Sequence, residues 1–274
     1  ILEDNLRTPS GVSYMLENRE VTKRIFPEMF NDNKVKMVNN YPLHLHQILL
    51  QLAPQQLAQP TAVILTPGIF NSAYYEHTFL ARQMGIPLVE GRDLLVDNHK
   101  VYMKTTNGLQ QVHVIYRRVD DDYLDPLVFK SNSALGVPGL VGAYRKGNVA
   151  IVNAMGNGVA DEKAVYNYVP AMIKYYLNEY PILPNVPTYE LSDKDARQFV
   201  FENIHKMVIK HTNQSGGYGM LMGNSANEET IDEFKIAVEA DPRSFIAQPI
   251  IKLSTVPCFI NGKVVARHVD LRPY

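Results

Sequence analysis

A lone lysine at the end of an apolar run, followed by a glycine-rich loop, is a pattern able to hold an anion. It occurs here over Met207 to Gly223, M-V-I-K-H-T-N-Q-S-G-G-Y-G-M-L-M-G. Glycines let backbone N–H groups approach an anion without a Cβ in the way, and they permit positive φ. Lys210 adds a point charge suited to a phosphate, with Gly216, Gly217, Tyr218 and Gly219 just beyond it. This is not a Walker loop, because no Gly-Lys-Ser/Thr follows the glycines. An ordinary glycine-rich hairpin accounts for the same residues, so the stretch alone leaves both readings open.

A second group opens the chain, I-L-E-D-N-L-R-T-P-S-G. On a strand Glu3 and Asn5 share one face and Asp4 takes the other. Their oxygens could meet one hard cation, as Mg²⁺ prefers with few protein ligands plus phosphate and water. Arg7 has the same parity, and Thr8-Pro9-Ser10-Gly11 suits a turn. An edge strand with solvated charges is the competing reading. The third group is Arg117-Arg118 beside Asp120-Asp121-Asp122. It reads equally as a salt-linked loop or as an anion site held by carboxylates. His44 and His46 diverge if they lie on a helix, and are read as packing or surface residues. No Ser/His/Asp or Cys/His constellation is apparent.

The elements that must position these residues are set by periodicity. The Lys210 stretch reads as strand, loop, strand. Residues 12 to 57 read as helical, with Val12, Leu16, Val21, Ile25 and Phe26 near helical spacing and a second apolar helix over Leu43 to Leu52. Ala53 to Pro60 is a linker. Next comes a βαβ-like unit: strand Ala62 to Leu65, helix Ser72 to Met84 with Tyr75, Phe79, Leu80 and Met84 on its apolar side, and strand Ile86 to Val89. Val101 to Thr106 and Leu109 to Val119, joined at Asn107-Gly108, predict a hairpin with a type I′ turn. Val149 to Val152 is a strand. Asp161 opens a helix with acids in its first turn, Pro170 begins its continuation or restart, and residues 182 to 188 are an extended connection. Helices over Lys194 to His205 and Ser225 to Glu239 flank the glycine loop. There are no internal repeats.

Size and charge narrow the class. The chain has 274 residues, 46% hydrophobic and 20% charged, with a formal net charge of −1. That suits one large or two smaller domains and gives no polycationic surface for nucleic acid. No apolar run approaches the ~20 residues of a membrane span. Cys258 is the only cysteine, which excludes an internal disulfide and predicts a cytoplasmic, reducing setting. The opening Ile1-Leu2-Glu3 reads as the middle of a strand, so the sequence is expected to be part of a longer protein.

Taken together, these stretches resemble the circularly permuted ATP-grasp family, type 2, related to the glutathionylspermidine synthases. E-D-N-L-R-T-P-S is similar to the family's Glu-x-Asn metal motif and Thr-Pro turn. D-E-K-A-V-Y with P-I-L-P-N-V-P-T is similar to the segment presenting the first nucleotide lysine. V-I-K with S-G-G-Y-G is similar to the second lysine and phosphate-covering loop, and F-I-A-Q-P to the adenine-side hinge. In unpermuted members the Glu-x-Asn motif comes last; here it precedes the lysines. Four motifs in this order, over nearly the whole chain, are specific where each alone is weak.

The resemblance implies an α/β (α+β) ATP-grasp fold, circularly permuted, with a Rossmann-like unit. Residues 1–60 would supply the metal-site strand and helices, 61–146 the Rossmann-like unit, and 147–274 the nucleotide-binding region. ATP and Mg²⁺ are the implied cofactors. Lys163 and Lys210 would contact phosphates, Gly216, Gly217, Tyr218 and Gly219 would close over them, and Gln248 would lie near adenine. Glu3 and Asn5 would hold Mg²⁺, and Arg7 and Arg267 would stabilise the transferring phosphoryl group. Ser10, Arg117, Arg118 and Asp120 are candidate substrate residues. The implied activity is a carboxylate–amine ligase acting through an acyl phosphate on an amino-acid or peptide-like substrate. A nucleotide-binding module without turnover and a phosphotransferase are the alternatives. The family's further acidic metal ligand is expected upstream of Ile1 and further nucleotide contacts beyond Tyr274, so this piece alone is expected to turn over poorly.

Overall fold

The computed structural model describes residues 1–54, 57–214 and 219–272. The chain divides into two compact units, one of Leu6–Gly158 and one of Ile1–Asn5 with Val159–Tyr274. This differs from three consecutive segments, and packing gives the reason. The early helices share a core with the βαβ-like unit: Val12, Leu16 and Leu49 are buried in one cluster with Ala62, Ile64, Phe79, Leu80 and Val114.

The Leu6–Gly158 unit begins with α1 (Val12–Ile25), α2 (Pro27–Asn33) and α3 (Tyr41–Gln51). Then come β1 (Ala62–Leu65), α4 (Tyr74–Met84), β2 (Leu88–Val89), β3 (Leu94–Asp97), β4 (Lys100–Thr105), β5 (Gly108–Val112) and β6 (Val114–Arg117). It ends with α5 (Asp121–Leu124), α6 (Leu140–Arg145) and β7 (Ala150–Val152). A parallel sheet runs in the order β2-β1-β6-β7. Every residue of β1 and β6 is buried, as expected for parallel strands covered on both faces. Alternate side chains feed two cores: Val63, Leu65 and Ile115 enter one, and Ala62, Ile64, Val114 and Tyr116 the other.

Three details of this unit correct the sequence reading. The β4–β5 hairpin forms, but its loop residues Thr106 and Asn107 do not take the positive φ that a type I′ turn needs; the positive φ, 109°, is at Gly108. The Asn107 N–H instead donates to Thr105 Oγ1 at 3.2 Å. The long second strand is also divided, since β5 pairs with β4 while β6 enters the parallel sheet. In α4, Tyr75 is exposed and stacks near Tyr14, whereas Glu76 and His77 are buried.

The other unit contains α7 (Lys163–Leu177), β8 (Tyr189–Glu190), α8 (Lys194–Glu202), β9 (Met207–His211), β10 (Met220–Met222), α9 (Glu228–Ala240) and β11 (Phe245–Pro249). The last two strands, β12 (Thr255–Ile260) and β13 (Lys263–His268), form a hairpin. The antiparallel sheet is ordered β10-β9-β11-β8. Met207, Ile209, Leu221, Phe245 and Ala247 share a core with Val200 of α8 and Ile231 and Val238 of α9. Strand alternation therefore turns Val208, Lys210, Ile246 and Gln248 to the opposite face. Asp193 and Asn227 accept backbone N–H bonds at the starts of α8 and α9, satisfying donors that a helix start leaves free. Pro170 lies inside α7 rather than at the start of a new helix, and Glu162 precedes the first turn. Among the described residues, no helix is long and apolar enough to cross a membrane.

Candidate functional site

The hairpin expected around Lys210 forms, with Met220 opposite Lys210 and Met222 opposite Val208. Lys210 lies on the sheet face opposite the one that packs against α8 and α9, its side chain 16% exposed. Burial pulls its pKa down; the Glu3 charge raises it and the Lys163 charge lowers it further. Glu3 Oε2 stands 3.7 Å from Lys210 Nζ, and the Glu3 side chain is 54% exposed. Lys163, the first residue of α7, is tied to the loop root twice. Its N–H donates to Thr212 O at 3.0 Å, and its Nζ donates to Gln214 O at 2.5 Å. The far end of the loop returns at Gly219, whose φ is +62° and where a Cβ would run into Gln214 Oε1. His211 N–H donates to Gly219 O at 3.2 Å and closes the root. Gly216, Gly217 and Tyr218 lie outside the described residues.

Residues Ile1–Asn5 reach this site without joining a sheet, contrary to the edge strand expected. They lie instead along the connection before β8. Val186 N–H donates to Ile1 O at 3.0 Å, and the Tyr166 hydroxyl donates to the same oxygen. Gln248, 4% exposed, donates from Nε2 to Thr188 Oγ1 at 3.0 Å and to Leu2 O at 3.4 Å. Its amide nitrogen therefore ties β11 to the first residues, a role the adenine-side assignment did not anticipate. Asn5 is exposed. Among the described residues, no three His, Cys, Asp or Glu side chains converge. Glu3 and Asn5 nonetheless offer the hard oxygen donors that Mg²⁺ takes in small number from protein. Arg267, on β13, is exposed and donates to Ala266 O.

In the Leu6–Gly158 unit the remaining candidates are engaged with protein. Arg117 is fully buried. It donates to Asn153 O at 2.7 Å, Val119 O at 2.8 Å, Ala154 O and Asn157 Oδ1, and pairs with Asp121 at 2.7 Å. Burial lowers its pKa, while Asp121 and Asp120 oppose that. Arg118 donates to Pro9 O at 2.5 Å and pairs with Glu76 at 3.4 Å. Glu76, 0% exposed, accepts from Ser10 Oγ and Gly11 N at 2.7 Å, Ser13 Oγ at 2.9 Å and Ser13 N at 3.0 Å. This cluster holds the segment Thr8 to Gly11; the chain bends at Arg7 and Thr8 and forms no turn there, unlike the turn expected. Burial would raise the Glu76 pKa, but these donors together hold it below the usual carboxylate range. Arg7 accepts at its carbonyl from Asn157 Nδ2 at 2.9 Å, and its charge acts on Arg117. Asp120 is exposed.

Sequence reasoning missed Tyr166, Thr188 and Glu76. Tyr166 stands three residues after Lys163, on the next turn of the same helix, and that spacing was its only signal. Glu76 lay beside the apolar positions of α4, where an acid demands donors.

The model of the family described as circularly permuted ATP-grasp type 2 matches residues 1–274, and the chain belongs to that family. Its mixed α/β fold is accordingly that of the circularly permuted ATP-grasp family. An uncharacterized protein of Synechocystis sp. is 55% identical over 274 residues, which are 100% of this chain and 57% of that protein. A protein of Frankia alni named as a putative glutamate–cysteine ligase is 38% identical over 275 residues, covering 100% of this chain and 32% of its own length. A glutathione synthetase-like effector from Globodera pallida, in its apo form, aligns with a TM-score of 0.43 and 14% identity, over 80% of this chain and 47% of that one. The chain spans about half the length of the curated relatives it matches, 57% and 50% of the first two.

Proposed function

We propose that this chain is the nucleotide- and metal-handling part of an ATP- and Mg²⁺-dependent carboxylate–amine ligase. The observation that carries this reading is the meeting of Lys210, Lys163 and Glu3 at the root of one glycine loop in one unit. Both ammonium groups now rest on protein oxygens, and a phosphate can replace those oxygens. Glu3 and Asn5 would hold the metal, which when bound supplies positive charge against the phosphate oxygens. The lysines would fix the phosphates. Such positioning and charge neutralisation are what phosphoryl transfer demands.

In the proposed reaction a carboxylate oxygen attacks the γ-phosphorus, giving an acyl phosphate and releasing ADP. An amine then attacks the acyl carbon, inorganic phosphate leaves with the bonding electrons, and the amine loses a proton. The name of the Frankia relative and the family membership support an amino-acid or peptide-like acid as substrate. The deciding experiment screens amino acids and peptides for ATP-dependent ADP release by the full chain, with hydroxylamine present. A hydroxamate formed with ADP identifies the acyl phosphate. ADP without hydroxamate favours transfer to an alcohol, and nucleotide binding without ADP release favours a module that only binds.

A further inference from the structure

We infer that Tyr166 is a positioning residue that sets where Glu3 stands relative to the two lysines; the inference rests on the nucleotide and metal reading above. The segment carrying Glu3 belongs to no sheet ladder, so a handful of separate bonds must place it. Four bonds converge on Tyr166 and its neighbours. The buried hydroxyl donates to Ile1 O and accepts from Val186 N at 2.9 Å. Val186 N also reaches Ile1 O at 3.0 Å. Asn185 Nδ2 closes the group by donating to Tyr166 O at 3.2 Å. The second hold is Gln248 on Leu2 O. Residues 1 and 2 are thus held from α7, from the connection at Val186 and from β11, and the next side chain is Glu3.

The same helix turn places Lys163. Its backbone N–H is fixed to Thr212 O, just past the end of β9, and its ammonium to Gln214 O at the loop root. With Lys163 and Tyr166 three residues apart on α7, one rigid turn sets the spacing between the phosphate-facing lysine and the segment that presents the carboxylate. Burial raises the phenol's pKa, so the hydroxyl keeps its proton and remains a donor at neutral pH. A tyrosine serving the core alone would need its ring. The hydroxyl is directed instead at a carbonyl two residues before the carboxylate.

Tyr166→Phe in the full chain tests this, because it keeps the buried ring and removes the bond. The probe is a non-hydrolysable ATP analogue, titrated once with EDTA and once across a Mg²⁺ series. Nucleotide affinity in EDTA should stay within about twofold, while the Mg²⁺ concentration at half-effect should rise roughly three- to tenfold, as expected for one lost hydrogen bond. Amides of residues 2–5 should exchange faster at an unchanged melting temperature. An unchanged Mg²⁺ requirement overturns the inference, as does equal weakening with and without Mg²⁺, which would be general damage. If the unaltered protein binds the analogue with no response to Mg²⁺, the metal reading fails first and this inference falls with it.

Discussion

The two units each hold a cluster of opposite charges, and the clusters differ in how fully their hydrogen-bonding capacity is met. Around Glu76, a carboxylate with no exposure accepts four donors at 2.7 to 3.0 Å and lies beside Arg118. Arg117 is likewise surrounded by carbonyls and Asp121. Around Lys210, a partly desolvated ammonium has, among the described residues, one long pair, at 3.7 Å, with a carboxylate that is half exposed. Burying a charge is costly unless partners replace its water. The first cluster meets most of that demand within the chain, the buried Arg118 Nε having no hydrogen-bond partner among the described residues. The second meets it incompletely, and the remainder is what an anionic ligand can supply. Under the proposed function, residue type alone does not separate the two clusters; the number and length of their partners among the described residues does.

Removing Arg117 should have the largest effect. Arg117→Met leaves three carbonyls and the Asp121 carboxylate without their donor, and loss of one member of a buried pair costs ~3–5 kcal/mol. Denaturant unfolding of the full chain should show a drop of that size. A loss below ~1 kcal/mol would mean that Arg117 does not hold the fold, and the contrast with Lys210 would disappear.

A somewhat smaller effect comes through pH. His77 donates or accepts through Nδ1 with Thr66 Oγ1 at 2.8 Å, beside Glu76 and Arg118. Burial lowers its pKa from 6.5 to about 4; the Arg118 charge adds to this and the Glu76 charge opposes it. Between those values the unfolded chain binds more protons than the folded one, so stability falls as pH falls. The contribution is complete above pH 6.5 and is lost by about pH 4, in total roughly 3 kcal/mol or less. Glu76, with its pKa also lowered, adds to the loss only at the acid end of this window. Urea midpoints from pH 7 down to pH 5 should therefore decline, and His77→Gln should flatten that decline. A slope identical in the variant would assign the acid sensitivity elsewhere.

Lys210→Met probes the incompletely partnered cluster. One charge-assisted contact is worth ~1.5–3 kcal/mol, so affinity for an ATP analogue with Mg²⁺ should fall about tenfold or more. The melting temperature should change little, because the variant keeps the apolar stem and removes a partly desolvated charge. Unchanged binding by calorimetry would remove Lys210 from the phosphate site.

Both clusters were partly legible in sequence, for different reasons. Lys210 was visible because period and glycines mark a hairpin, and the pairing of β9 with β10 bears that out. The burial of β1 was predictable from its β-branched run. Arg117 and Arg118 were legible only as two open alternatives, because their partners come from Asn153, Ala154 and Pro9, distant in sequence and mostly backbone carbonyls. A carbonyl carries no residue type for a sequence reading to detect. The same holds for Tyr166, whose acceptor is Ile1 O, and for the bond from Gln248 to Leu2 O. The strand β8 was missed because two residues show no alternation.

The smallest effect concerns the Glu3–Lys210 pair itself. An exposed ion pair contributes ~0.2–1 kcal/mol, and Glu3 is exposed enough for that range to apply. Before any metal arrives, the carboxylate lies against the ammonium that a phosphate would need, and its negative charge opposes the phosphate as well. Glu3→Gln keeps the side chain's shape and removes both effects. Measured in EDTA, the variant should bind an ATP analogue roughly one-and-a-half- to fivefold more tightly than the unaltered protein, the range that pair energy converts to. Adding Mg²⁺ should reverse the ranking, since the unaltered protein gains a metal-mediated contact that the amide holds less well. The two titrations separate the roles that Lys210→Met cannot, because that variant removes the phosphate contact and the pair together. Weaker binding by Glu3→Gln in EDTA would show that the carboxylate supports Lys210 rather than occupying it. The pair would then belong with the satisfied charges of the other unit.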